Sequence, residues 1–274
     1  MKFNLSLNIE AADTDGSQEH TEAQKNVEKS IIREQSAKDF AFSELQNQAI
    51  EMKQPLKELG KVSNCRDAVT HGNPEILGNH MDYQQGVEIN GLMVLGNCGL
   101  DSSRNMLALC GKHYTEEFIT KTAAQNKLCD FNPKLPAKDR GGTTSSWREK
   151  LLEKFSVEVE SISQKDITLD EIADKLDVGK RGIISLNAGI LRNEISSVST
   201  DSKGNPRSNH VVTLLSAVRD RETGELAGFY ICDSGSEISE PFTYVTVDRM
   251  KKAFTGVTNA CVQMTKKSYA EVSL

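Results

Sequence analysis

One cysteine of the chain lies where a thiol could be activated as a nucleophile. Cys98 follows the tight turn Gly96-Asn97, and the pattern after it predicts a helix that opens at this cysteine. A helix N-terminus carries partial positive charge and unpaired N–H groups, and both favour a thiolate over a thiol. The same N–H groups point to where an oxyanion forms during acyl transfer. We therefore take Cys98 as a candidate nucleophile, against the alternative of a buried structural cysteine.

A thiol nucleophile needs a base, and one histidine is placed to provide it. His210 begins a predicted apolar strand, whereas the other histidines lie in the polar N-terminal segment, in a predicted loop or at a helix boundary. A histidine at a strand edge can also be purely structural. The base in turn needs an acceptor to orient it, and Asp233 follows the next apolar strand, at 229–232. The alternative for Asp233 is a carboxylate that caps a turn.

The hairpin between these two strands allows two registers. A four-residue loop closed by Gly224 would place His210 directly opposite Asp233, whereas a two-residue turn at Thr223-Gly224 would leave the pair four residues out of step. Side chains alternate along a strand with a period of two, so both registers put His210 and Asp233 on one face. We predict a triad of Cys98, His210 and Asp233.

The elements that must position this triad form two groups along the chain. A hairpin signal at Asn90-Gly91 and helical patterns come first, and an antiparallel series of strands follows. This order predicts an α+β fold. The predicted helices cover 102–109, 114–126, 144–155, 168–176 and 247–254, and the predicted strands cover 157–162, 182–186, 210–218, 228–232, 243–247 and 260–265.

The N-terminal residues differ from the rest of the chain. Residues 1–60 hold 11 acidic and 7 basic residues and no cysteine, and the pattern from 17 to 52 is polar and favours helix. We predict a helical N-terminal segment at 1–60 and a catalytic domain at 61–274. The segment could be a plain surface helix or loose tail, a propeptide-like cover, a secretion segment or an arm that docks a partner.

Composition excludes several functional classes. The 274 residues carry a net charge of −6, which argues against nucleic-acid binding through a basic face. No apolar run reaches the length of a membrane span, and the N-terminus does not have the pattern of a cleavable signal peptide. We therefore expect a cytoplasmic protein or one exported by a specialised secretion system. The six cysteines form no C-x-x-C pair, so we expect reduced thiols and neither a metal nor another cofactor.

The order Cys, His, Asp on helices followed by a sheet is the papain-like arrangement. The chain resembles the papain-like cysteine peptidase domains of bacterial polymorphic toxins and effectors, which are related to the peptidases that process bacteriocin leaders at a double glycine. The resemblance spans about residues 85–270. Its pieces are Asn90-Gly91, Gly96-Asn97-Cys98-Gly99-Leu100, Asn105-Met106-Leu107-Ala108-Leu109, Leu128-Cys129, Gly141-Gly142-Thr143-Thr144, Leu151-Leu152-Glu153-Lys154-Phe155, Gly182-Ile183-Ile184-Ser185, Asn209-His210-Val211-Val212-Thr213 and Gly228-Phe229-Tyr230-Ile231-Cys232-Asp233-Ser234-Gly235.

The resemblance implies that Cys98 is the nucleophile, His210 the general base and Asp233 its orienting acid. Many papain-like enzymes carry a glutamine about six residues before the nucleophile as an oxyanion-hole donor, and this chain has Leu92 there. Asn97 is the candidate substitute, with Asn90 as a second, although Asn97 could equally be a turn residue with positive φ.

The implied function is a cysteine protease that hydrolyses peptide bonds, acting as a bacterial effector or toxin. Its partners would be a protein or peptide substrate and an immunity protein or inhibitor. Two alternatives stay open at this stage. The first is a deamidase or transglutaminase that uses the same triad on protein glutamine side chains. The second is a catalytically silent module that binds proteins.

Overall fold

A computed structural model describes residues 49–52, 57–58, 61–62, 68–71, 78, 81–235 and 242–269. Most of the predicted helical segment at 1–60 therefore lies outside the described residues. Its end does not: Ala49–Met52 forms a strand where the polar pattern predicts helix, because backbone pairing with a neighbouring strand overrides a weak local preference. The division of the chain at residue 60 stays a prediction.

The described residues form twelve strands and six α-helices. The strands are β1 (Ala49–Met52), β2 (Lys57–Glu58), β3 (Lys61–Val62), β4 (Ala68–His71), β5 (Val87–Ile89), β6 (Leu92–Val94), β7 (Val159–Ser163), β8 (Gly182–Leu186), β9 (His210–Asp220), β10 (Leu226–Cys232), β11 (Thr243–Thr246) and β12 (Cys261–Thr265). The helices are α1 (Cys98–Leu109), α2 (Glu116–Gln125), α3 (Ser145–Lys154), α4 (Leu169–Asp177), α5 (Ala188–Arg192) and α6 (Val247–Met250), which continues as a π turn over Lys251–Thr255.

Ten of the strands build one sheet. Its order is β3-β2-β11-β10-β9-β8-β12-β7, with β4 pairing β1 and β9. The pairs are antiparallel except β11 with β2. The long strand β9 lies between β10 and β8, so the strand that begins with His210 is held by backbone pairing on both sides.

Threonine side chains cap the starts of two of the helices. The side chain of Thr168 accepts from the N–H of Glu171, whose carboxylate accepts in return from the Thr168 N–H, so a capping box opens α4. The Thr115 hydroxyl accepts from Phe118 N–H at the start of α2 in the same manner. Within the described residues no helix is both long and apolar enough to cross a bilayer.

Apolar side chains fill both faces of the sheet. On one face α1, α2 and α3 pack against β8 and β9, and Leu100, Ile119 and Leu151 are fully buried there. On the other face α4 and the segment after α6 cover the sheet through residues such as Ile172 and Phe254. The predicted α+β fold is confirmed, with a helical half that carries Cys98 packed on an antiparallel sheet.

The register between β9 and β10 differs from both predicted alternatives. Phe229 lies opposite Ala217, and Cys232 lies opposite Thr213, because two irregularities shift the pairing along the hairpin. The loop between Asp220 and Glu225 is closed by a 2.9 Å bond from the Asp220 N–H to the Glu225 carbonyl. A bulge adds one unpaired residue, and the sequence pattern alone does not locate such insertions.

Candidate active site

The turn before α1 places Cys98 at the start of the helix. The Leu95 N–H donates to the Ala137 carbonyl and the Gly96 N–H donates to the Arg140 carbonyl, each at 2.9 Å, so the turn is tied to a neighbouring loop. Asn97 is the N-cap residue, with φ at −102°. The interpretation of Asn97 as a turn residue with positive φ is therefore wrong, since these backbone bonds close the turn without a left-handed residue.

His210 and Asp233 lie together at the ends of neighbouring strands. The His210 Nε2 is 2.6 Å from Asp233 Oδ1, and both side chains are buried. At this end of the hairpin Cys232 lies opposite Thr213, so a regular continuation places Asp233 opposite residue 212, two positions from His210. The parity of the register is thus the one the sequence predicts, and the two side chains share a face although the predicted pairing is wrong.

The His210 imidazole also reaches the Cys98 thiol. Burial raises the pKa of Cys98, but the charge and hydrogen bond of His210, a backbone bond from Val211 and the charge of Arg148 outweigh it, so the pKa is lowered. Burial lowers the pKa of His210, but Asp233 and Cys98 raise it to about 10. The imidazole is the stronger base of the pair, and both shifts favour a Cys98 thiolate beside a protonated His210.

Asp233 has two further partners that keep it ionised. Arg192 donates to both carboxylate oxygens, from Nε at 3.0 Å and from Nη2 at 2.8 Å, and the Gly235 N–H donates to Oδ1 at 3.1 Å. Burial raises the pKa of Asp233, but His210 and Arg192 outweigh it and hold the pKa well below its ordinary value. The Asp233 carboxylate therefore stays negative over the pH range in which an imidazole gains and loses its proton.

Sequence reasoning missed Arg192. It ends α5, a short helix that the sequence analysis does not predict, in which the Asn187 side chain accepts from the Ile190 N–H and Asn193 closes the last turn at φ 60°. Asparagine at both ends of a short segment is a recognisable pair of caps, and this signal could have found the helix.

The candidate oxyanion residues from the sequence lie in different surroundings. Asn97 is fully buried, and its Nδ2 donates to Glu116 Oε1 at 2.6 Å. Asn90 lies exposed at the tip of the β5–β6 hairpin, where it and Gly91 take the positive φ values of the turn. Leu92 lies on β6.

Sequence reasoning also missed Gln85, which lies beside the His210 ring. A Cβ placed on Gly235 would be 2.9 Å from His210 Cε1 and 3.1 Å from Gln85 Oε1, so both side chains line the same small space. The Gln85 Nε2 donates to the Leu95 carbonyl at 2.6 Å. The hairpin of β5 and β6 lies between Gln85 and Cys98 along the chain. A search about six residues before the nucleophile therefore finds Leu92 and not Gln85.

The other described thiols do not share the chemistry of Cys98. Burial raises the pKa of Cys110 to about 12 and of Cys129 to about 11, and it raises the pKa of Cys232 well above its ordinary value. These three are neutral thiols in the core. Among the described residues no group of three His, Cys, Asp or Glu side chains is arranged to hold a metal ion.

Solved structures similar to the chain include two peptidase domains. One is a double-glycine-motif protease from an AMS/PCAT transporter in complex with its leader peptide, at 16% identity over 68% of this chain and 94% of that chain, with a TM-score of 0.35. The other is the peptidase domain of Streptococcus ComA, a bifunctional ABC transporter of a quorum-sensing pathway, at 14% identity over 68% and 99%, with a TM-score of 0.38. No protein-family model matches the chain, and no curated protein matches it significantly. Both TM-scores are low, so the chemistry of this chain has to come from its own geometry.

Proposed function

We propose that the chain is a cysteine peptidase that uses Cys98, His210 and Asp233 as its triad. The observation that carries the proposal is the imidazole of His210, which contacts the Cys98 thiol on one side and lies 2.6 Å from the Asp233 carboxylate on the other. An ionised sulfur beside a protonated imidazole is the form in which a thiol attacks an amide at neutral pH.

The residues support a two-step hydrolysis. The Cys98 thiolate attacks the carbonyl carbon, and His210 gives its proton to the amine, which leaves as the carbon–nitrogen bond breaks. A thioester remains. His210, now neutral, removes a proton from water, the hydroxide attacks the thioester, and Cys98 leaves as a thiolate while the proton stays on His210. Asp233 holds the ring by its Nε2, which leaves Nδ1 to face the sulfur.

The oxyanion of this reaction needs hydrogen-bond donors. The first N–H groups of α1 have no partner inside the helix, and the Cys98 N–H is among them. We assign the second donor to Gln85, because its side chain lines the same space as the His210 ring. One of its amide hydrogens donates to the Leu95 carbonyl, and the other is the donor that we assign to the oxyanion, whereas the Asn97 side chain is buried against Glu116. Asn97 stays the candidate from the sequence. Gln85→Ala should lower kcat about 10²–10³-fold, as the loss of such a donor does elsewhere, and an equal loss in Asn97→Ala but none in Gln85→Ala would reverse the assignment.

The test of the function is a comparison of a proteome incubated with the wild-type chain and with Cys98→Ala, read by mass spectrometry. New peptide termini that occur only with the wild type support a peptidase. Conversion of glutamine side chains to acids or to amine adducts, without new termini, would instead identify a deamidase or transglutaminase. If neither sample changed chemically, the remaining hypothesis would be a catalytically silent module that binds proteins.

The biological setting is part of the same proposal. A soluble peptidase that acts as a bacterial effector or toxin would require an immunity protein or inhibitor in the cell that makes it. Co-expression with the neighbouring genes of its source should then relieve toxicity of the wild-type chain, whereas Cys98→Ala should need no protection.

A further inference from the structure

A buried arginine lies behind the nucleophile without a carboxylate partner. Arg148, on α3, is 3% exposed, and among the described residues it forms no salt bridge. Its guanidinium donates to three neutral oxygens and, at a longer distance, to a sulfur: Nε to Gln263 Oε1 at 2.7 Å, Nη1 to Thr143 Oγ1 at 3.2 Å, and Nη2 to Ser185 Oγ at 3.1 Å and to Cys261 Sγ at 4.0 Å. A buried cation in such a position is costly unless a negative charge lies close by.

The groups near Arg148 that can become negative are two thiols. Its Nη2 is 4.0 Å from the sulfur of Cys261, and Cys98 and Cys261 are the charges that oppose the effect of burial on the pKa of Arg148. Of these two thiols, Cys98 also contacts the His210 imidazole, whose charge and hydrogen bond favour its thiolate form.

The start of α1 is shaped to bring Arg148 close. A Cβ on Gly99 would lie 2.1 Å from Thr143 Oγ1 and 3.2 Å from Arg148 Cδ, so any side chain after the nucleophile would displace both. Glycine at this position lets the arginine stem pass directly beneath the first turn of α1. The guanidinium is therefore fixed relative to the sulfur by backbone contact and by three hydrogen bonds.

We propose that Arg148 is a positioning residue that helps to hold Cys98 in its anionic form from the helical half, in addition to His210. The inference rests on the proposed function for its catalytic meaning. His210 gives away its proton when the amine leaves, whereas the Arg148 guanidinium keeps its charge throughout. Arg148 thus provides a constant positive charge near a sulfur whose other partner changes charge during the reaction.

The charges around Cys98 come from several elements, and a test has to separate them. His210 lies on β9, Arg148 on α3 and Arg192 on α5, while Asp233 follows β10. Two further titratable groups lie on neighbouring elements, Asp101 on α1 itself and Cys261 on β12. Substitutions at Arg148 leave these other groups in place. The matched control is Arg181, a second buried arginine, which lies next to Cys110 at the opposite end of α1.

The experiment measures alkylation of Cys98 by iodoacetamide in the full-length chain as a function of pH, with each thiol resolved by mass spectrometry. Arg148→Met should shift the midpoint of Cys98 alkylation upward and reduce the rate below that midpoint by about tenfold, which corresponds to one pKa unit. Arg148→Lys should restore most of the rate, and Arg181→Met should leave it unchanged. An unchanged midpoint in folded Arg148→Met would overturn the proposal.

A second variant keeps the test decisive if Arg148→Met does not fold. Gln263→Glu places a carboxylate on the atom that already accepts from Arg148 Nε, so it neutralises the guanidinium in place and should shift the midpoint in the same direction. No shift in Gln263→Glu would also refute the proposal. Alkylation requires no substrate, so a shift in a chain without peptidase activity would reject the proposed function and leave this inference standing.

Discussion

The two ends of α1 carry cysteines with opposite chemistry. Cys98 begins the helix and its pKa is lowered, whereas Cys110 follows the last turn and burial raises its pKa to about 12. Each thiol has a buried arginine nearby, Arg148 at the start and Arg181 at the end. A guanidinium alone therefore does not ionise a buried thiol. The difference lies in the imidazole and in the direction of the helix, since N–H groups meet Cys98 and carbonyl groups meet Cys110.

The largest expected effect is a difference in kcat between alanine variants of the two cysteines. Cys98→Ala should lower kcat by about 10⁶-fold, because removal of a nucleophile disables the whole triad. Cys110→Ala should leave kcat unchanged, since that thiol is a neutral core group. Turnover of a cleaved peptide identified from the proteome measures both. If both variants fold and lose kcat equally, the position of Cys98 at the helix start does not make it the nucleophile.

A smaller effect should show how much of the acidity of Cys98 comes from the imidazole. Asp233→Asn should lower kcat by up to about 10⁴-fold, as the same change does in a serine triad, because the loss of the negative charge destabilises the protonated His210 ring. It should also lower the pKa of His210 from about 10 towards its ordinary range and raise that of Cys98. The pH profile of kcat/KM and the alkylation midpoint of Cys98 measure these changes. An unchanged midpoint would assign the acidity of Cys98 to the helix end and Arg148 and none of it to the imidazole.

The ratio of thiol reactivities tests the comparison without any substrate. At pH 6 a thiol with a pKa of about 12 is almost entirely protonated, whereas Cys98 has a larger thiolate fraction. The lower intrinsic nucleophilicity of a more acidic thiol offsets part of this gain. We expect iodoacetamide to modify Cys98 at least about 10² times faster than Cys110 in the folded protein. In denaturant the two alkylation rates should become about equal. A ratio that stayed high in the unfolded chain would show that the folded structure is not the cause of the faster reaction at Cys98.

The smallest effect concerns an acid in the first turn of α1. Burial, with Asp82 and Glu116, raises the pKa of Asp101 well above 3.8. The folded chain then holds a proton that the unfolded chain releases, so the free energy of unfolding should fall as pH rises from about 4 to the folded pKa, by up to about 1.4 kcal/mol per pH unit. Asp101→Asn should lack this slope and be the more stable variant at neutral pH. Urea unfolding at several pH values measures it, and parallel curves for the two proteins would contradict the raised pKa.

Much of the site follows from local sequence. The Gly-Asn turn and the helix after it place Cys98, and the two apolar strands place His210 and Asp233 on one face. These features depend on neighbours within a few residues, or on the parity of a hairpin. Both predicted registers of β9 and β10 are wrong. The two irregularities nevertheless leave His210 and Asp233 on the same face of the sheet, as predicted.

The residues that sequence reasoning missed depend on contacts between distant segments. Arg192 reaches Asp233 from a helix 41 positions earlier, and Arg148 reaches Gln263 across 115 positions. Gln85 lies near His210 because its N–H donates to the carbonyl of Ser234, which is 149 positions away along the chain and directly follows Asp233. No periodicity or spacing in one sequence reports such proximity.

The proposed triad is divided between two layers that are held by different kinds of bond. His210 lies on β9 and Asp233 follows β10 in one hydrogen-bonded sheet, whereas Cys98 lies on α1, which meets that sheet through packing and through side-chain bonds such as Ser102 Oγ to the Val211 carbonyl at 3.0 Å. A sliding motion of the layers would therefore change the sulfur-to-imidazole distance long before it disturbed the imidazole and the carboxylate. If the proposed function holds, we expect turnover to fail on heating while the sheet is still intact, because the thiol and the imidazole separate before the strands do.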